Sequence, residues 1–119
     1  MEAAQLDKGR LDALRTLQKP GEPDVLATVF EDYRTESREH MLQVRQALAA
    51  GDAATLRQAA HSLKSSSASL GAMTFASICA SIEAACKGGA IPRSMAAEVE
   101  RAEAEYARVL LALDLEQGI

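Results

Sequence analysis

The chain has 119 residues, 48% of them hydrophobic but only 3% aromatic, with no tryptophan and a formal net charge of −4. That length suits one core and a single domain over 1–119, and an alanine- and leucine-rich, aromatic-poor composition favours close-packed helices over a sheet. The acidic balance without a basic stripe excludes a nucleic-acid partner, no apolar run reaches the roughly 18 residues that would insert in a membrane, and Met1 to Gln5 lacks the basic and apolar regions of a signal peptide, so a cytoplasmic location is expected.

The first helix is predicted to open on Asp7 as N-cap and to run to about Gln18, with Leu11, Leu14 and Leu17 on one side. Lys19-Pro20-Gly21-Glu22-Pro23 breaks it. Asp24 then opens a long helix to about Ala50, in which Leu26, Phe30, Tyr33, Met41, Val44 and Leu48 recur at three- and four-residue spacing. Its polar middle, Glu31 to His40, reads as a solvated face, with His40 an exposed histidine without a role.

Gly51 ends that helix and Asp52 caps the next, which carries His61 and stops at Gly71. A short connection leads into a helix from Met73 to Lys87 whose inward side is Phe75, Ile78, Cys79, Ile82 and Cys86, ended by Gly88-Gly89. Cys79 and Cys86 share that helix, so at about 1.5 Å of rise per residue their Cα atoms lie roughly 10 Å apart, too far for a disulfide, and they read as small buried hydrophobes. Pro92 suits a first helical turn, and the last helix runs to about Glu116 with Met95, Val99, Ala102, Tyr106, Val109, Leu110 and Leu113 inward. The fold class is all-α: an antiparallel four-helix bundle with an additional N-terminal helix.

The third predicted helix carries the chemistry. Advancing about 100° per residue, Leu56, Ala59, Ala60, Leu63, Ser67 and Leu70 fall in one arc, the stripe that packs on other helices. His61, Arg57 and Ala68 lie on the other side. Lys64 follows His61 by one turn and Ser65 is its i+4 neighbour, so both reach anything attached to the ring. An imidazole of reference pKa about 6.5 is mostly unprotonated at pH 7 and attacks a phosphoryl donor without a general base.

The run Ala60-His61-Ser62-Leu63-Lys64, followed by small residues and then Leu70-Gly71-Ala72, resembles the histidine-containing phosphotransfer (HPt) domain of multistep two-component relays. The family's usual form is A-H-x-L-K-G-S-S-x-x-L-G-A, and Ser65 replaces its glycine. Ile78 to Glu83 is similar to the family's next helix. The resemblance implies a phosphorelay intermediate: His61 accepts a phosphoryl group from a receiver-domain aspartate, Lys64 sets a positive charge beside it, and Glu83 hydrogen-bonds the ring so that Nε2 is free to attack. The implied partners are the receiver domains of a hybrid sensor kinase and of a response regulator, meeting a monomer. Arg57, Ser65, Ala68, Leu42 and Lys87 are the candidate partner-binding residues, with Leu42 and Ala68 forming an apolar patch around His61. No cofactor, metal site or ATP site of its own is implied, since the metal ion that neutralises the transferring phosphoryl comes from the partner receiver and no glycine-rich phosphate loop is present.

Three other readings compete. A non-catalytic helical adaptor explains a bundle but not the Ala-His-Ser-Leu-Lys pattern. A di-iron bundle needs inward Glu-x-x-His pairs, and Glu36 with His40 has the wrong spacing. A nucleophilic serine in the Ser65 to Ser67 run lacks a positioned base and an oxyanion hole, so small residues there are read as clearance.

Overall fold

The structure is a computed structural model that describes residues 1–118. Its helices are α1 (Lys8–Arg15), α2 (Val25–Ala50), α3 (Ala53–Ser69), α4 (Met73–Ala85) and α5 (Met95–Glu116). α2 packs on α3, α3 on α4, α4 on α5 and α5 back on α2, which closes the four-helix bundle, while α1 lies against α2. The short α2–α3 and α3–α4 links make those neighbours antiparallel.

Three aspartates set helix starts. The carboxylates of Asp7, Asp24 and Asp52 accept from the backbone N–H groups of Arg10, Ala27 and Thr55, which are otherwise without helical partners. Gly51 takes a left-handed φ of 69° and ends α2, as its place after Ala50 predicts. Three ends depart from the pattern. α1 stops at Arg15 because Gln18 folds the proline loop instead: its amide donates to the carbonyls of Lys19, Glu22 and Pro23 and its oxygen accepts from Val25 N–H. Leu17 is thus outside the helix and 61% exposed. α4 ends at Ala85 rather than Lys87, and Pro92 lies before α5, its carbonyl accepting from Met95 N–H.

The α3 stripe is buried throughout, from Leu56 to Leu70. Most of the polar middle of α2 is exposed as expected, Tyr33 lies inward with the apolar repeat, and Ser37 is the departure. Tyr33 and Ser37 are buried, and each crosses the core with a hydroxyl pair: Tyr33 to Ser67 at 2.8 Å and Ser37 to Tyr106 at 2.7 Å. His40 is only partly exposed, and its Nδ1 is buried with no hydrogen-bond partner. Cys79 and Cys86 are free and buried, and burial pushes the Cys79 thiol up to about 12.

The first residues form a strap. Ala4 N–H donates to the Arg108 carbonyl, Arg108 Nε donates to the Glu2 carbonyl, and Asp7 N–H donates to the Gly71 carbonyl. Arg108 also donates to the buried Glu105 carboxylate one turn before it in α5. Gly71 has φ +88°, and a Cβ there would lie 2.7 Å from Asp7 N and 2.8 Å from Asp7 O. The turn between α3 and α4 therefore requires glycine both for its backbone angle and for the strap's approach.

Candidate functional site

The burial of Ala59, Ala60 and Leu63 turns His61 outward, leaving its side chain 58% exposed. α4 returns beside α3 through the short Leu70 to Ala72 link, and Glu83, next to the buried Ile82, stands at the edge where the two helices meet. Its Oε2 lies 2.8 Å from Nδ1 of His61 and its Oε1 2.5 Å from Nζ of Lys64. The Lys64 hydrogen bond holds the Glu83 carboxyl below the usual range; partial burial opposes this and the His61 contact adds to it. An ionised carboxylate only accepts, so Nδ1 is the donor of this pair, and in the neutral ring Nε2 then keeps the lone pair.

Two grooves border this trio. One, of about 360 Å³, is lined by Ala54, Arg57, Gln58, His61 and Glu83. Its neighbour, of about 290 Å³, is lined by Arg57, Lys64, Ala80, Glu83, Ala84 and Lys87. Arg57 lines both, while Lys64 lines the second and not the groove that holds the His61 ring. Arg57, Lys64 and Lys87 thus line one groove with the Glu83 carboxylate, a local excess of cations on a molecule whose net charge is −4 and a field suited to anions.

The remaining candidates are more scattered. Ser65 is exposed and its hydroxyl has no partner among the described residues; the neighbouring Ser66 and Ser69 donate back to the carbonyls of Ser62 and Ser65. Within the Ser65 to Ser67 run, the Ser66 hydroxyl is thus back-bonded and that of Ser67 pairs with Tyr33. Ala68 is half-buried. Leu42 is 50% exposed and is not among the residues lining the grooves beside His61; the α2 residues facing that side are His40 and Gln43, which share a groove of about 340 Å³ with Thr55, Gln58, Ala59 and Ser62. Sequence reasoning passed over Ala54 and Gln58. The signal for Gln58 was its spacing, one turn before His61 on the same face.

A family model described as the Hpt domain matches residues 28–117. Among solved structures, the chain is similar to the crystal structure of histidine-containing phosphotransfer protein B (HptB) from Pseudomonas aeruginosa PAO1, with 29% identity and a TM-score of 0.84 over 95% of this chain and 94% of that one. No curated protein sequence gives a significant match.

Proposed function

The chain belongs to the Hpt domain family, and on that premise we propose that His61 is the residue through which it carries a phosphoryl group between receiver domains. Nε2 attacks the phosphorus of a receiver's aspartyl phosphate; the N–P bond forms as the acyl O–P bond breaks, and the aspartate oxygen keeps the electron pair. A second receiver's aspartate then attacks the same phosphorus, and Nε2 leaves with its lone pair restored. The proton on Nδ1 stays in place throughout, held by Glu83. The divalent cation that accompanies the phosphoryl belongs to the receiver.

The observation that carries this reading is the Glu83 contact to Nδ1, which fixes the tautomer a nucleophilic Nε2 requires. A helical adaptor has no use for an exposed histidine whose ring is oriented in this way. The donor is a receiver of a hybrid sensor kinase and the acceptor that of a response regulator. Both dock as single partners on a monomeric domain spanning 1–119 in the cytoplasm. In this reading Ser65, Ala68, Lys87 and Leu42 belong to the surface on which the receivers dock.

The test is transfer of labelled phosphoryl from a phosphorylated receiver. His61→Gln removes an exposed side chain, so its helical circular dichroism is expected to match the parent while uptake of label is abolished. Acid-labile label persisting on that variant would move the site elsewhere.

A further inference from the structure

We propose that His40, in the groove on the α2 side of His61, is a specificity residue that tells one receiver domain from another by hydrogen bonding; this rests on the reading of His61 as the acceptor. The groove, of about 340 Å³, is lined by His40, Gln43, Thr55, Gln58, Ala59 and Ser62. It is continuous with the site, since Gln58 also lines the groove that holds the His61 ring and Ser62 follows His61 in α3. A partner that caps the exposed ring meets this groove on the α2 side.

The orphaned nitrogen of His40 sets the chemistry. Its Nδ1 is buried without a hydrogen-bond partner. An N–H in that place would be a buried donor with no acceptor, so in the neutral ring Nδ1 keeps its lone pair and the hydrogen sits on Nε2. Nε2 is not buried and makes no hydrogen bond among the described residues, which leaves its N–H open to a partner. The amides of Gln43 and Gln58 and the Ser62 hydroxyl are likewise unengaged among the described residues, whereas the Thr55 hydroxyl is held by Asp52. Apart from the imidazole, no lining residue is ionisable. The two flanks of His61 thus differ. Arg57, Lys64 and Lys87 supply charge on the α4 side, which steers an acidic phosphorylation pocket toward the ring. The α2 side offers neutral donors and acceptors, which reward a partner of matching pattern and penalise one that strands them. The matching occupant is a receiver that brings an oxygen acceptor to the His40 Nε2–H as its aspartate meets His61.

The experiment compares phosphoryl donors on the full chain. Two are receiver domains carrying an aspartyl phosphate, the one that labels the parent fastest and a slower one; the third is phosphoramidate, which needs no docking. With phosphoramidate, Nε2 of His61 attacks phosphorus and ammonia leaves with the electron pair of the old N–P bond. His40→Leu is expected to lower the second-order rate constant with the faster receiver by about tenfold, the worth of one such hydrogen bond, while the phosphoramidate rate and the helical circular dichroism stay at the parent level. The slower receiver is expected to lose less, so the preference between the two narrows. His40→Gln, whose amide nitrogen stands near the place of Nε2, is expected to recover part of the rate, and Gln43→Ala, which leaves the buried ring untouched, to show a smaller loss of the same receiver-dependent kind. An unchanged receiver rate in His40→Leu, an equal loss for both receivers, or an equal loss with phosphoramidate overturns the proposal while leaving His61 as the acceptor. Label entering His61→Gln at the parent rate overturns the acceptor itself.

Discussion

His61 and Glu83 are 22 positions apart on different helices, yet Nδ1 and Oε2 approach to 2.8 Å, and the second oxygen of the same carboxylate holds Lys64. The carboxylate thus joins the two functional positions of α3 through a residue of α4.

Replacing Glu83 by Gln keeps an acceptor for Nδ1–H but removes the ion pair with Lys64. The folded-state pKa of Glu83 lies below its ordinary value of 4.5, so its contribution to stability is complete above that value and is lost as pH falls through the depressed one. The melting temperature of Glu83→Gln is expected to lie below the parent's at pH 7, by no more than the equivalent of about 1 kcal/mol for so accessible a pair, and to converge on it as the solution is acidified below 4.5. A gap of constant size across that range would contradict the assignment.

Ser65 is exposed and its hydroxyl is unengaged, so Ser65→Gly tests backbone preference alone. Glycine is the poorer helix former by about 0.5 kcal/mol. Thermal unfolding is expected to shift down by that amount while the phosphotransfer rate stays at the parent level; a loss of transfer as complete as that of His61→Gln would place the hydroxyl in the chemistry.

Tyr33→Phe strands the fully buried Ser67 hydroxyl, a cost of about 1–3 kcal/mol. In a double-mutant cycle, Tyr33→Phe with Ser67→Ala is expected to lose less than the sum of the single losses. Burial raises the Tyr33 pKa above its ordinary 10.0, so the phenol stays neutral when folded while it ionises in the unfolded chain. That contribution is present below pH 10 and declines above it, and chemical denaturation should show a shallower alkaline decline in Tyr33→Phe.

Gly71→Ala combines a left-handed backbone with a Cβ driven into Asp7. Destabilisation of more than about 1 kcal/mol is expected. Because the displaced group is the strap, tryptic cleavage after Lys8 should accelerate more than cleavage after Arg57; equal acceleration at both would mean the whole bundle, not the strap, has loosened.

Much of the bundle was legible because its signals are local. Aspartate caps and Gly51 mark the ends of helices, and the arc from Leu56 to Leu70 states which side of α3 is buried before any neighbour is known. What escaped depends on distant chain. Ser37 looks like a solvent residue until Tyr106 arrives opposite it, and Gln18 extends the pattern of α1 until the proline loop offers three carbonyls. The placing of Lys64 on Glu83 was equally hidden. Helical spacing puts Lys64 near His61 and the resemblance puts Glu83 on the ring, but only the packing of α4 shows that the same carboxylate also holds Lys64.

The strap joins positions near the two ends of the chain, Ala4 to Arg108, and lies wholly before residue 28, where the family match begins. Contacts so far apart in sequence close a large loop, whose entropy resists formation until the bundle has already assembled. The strap is therefore expected to dock last and lift first, and amide hydrogen exchange at Ala4 and Asp7 should proceed through one shared opening far cheaper than that of α3. Such an opening would remove the Asp7 N–H from the Gly71 carbonyl while the turn keeps its own Ala68, Ser67 and Met73 hydrogen bonds, so the link that sets α4 beside His61 is expected to outlast the strap.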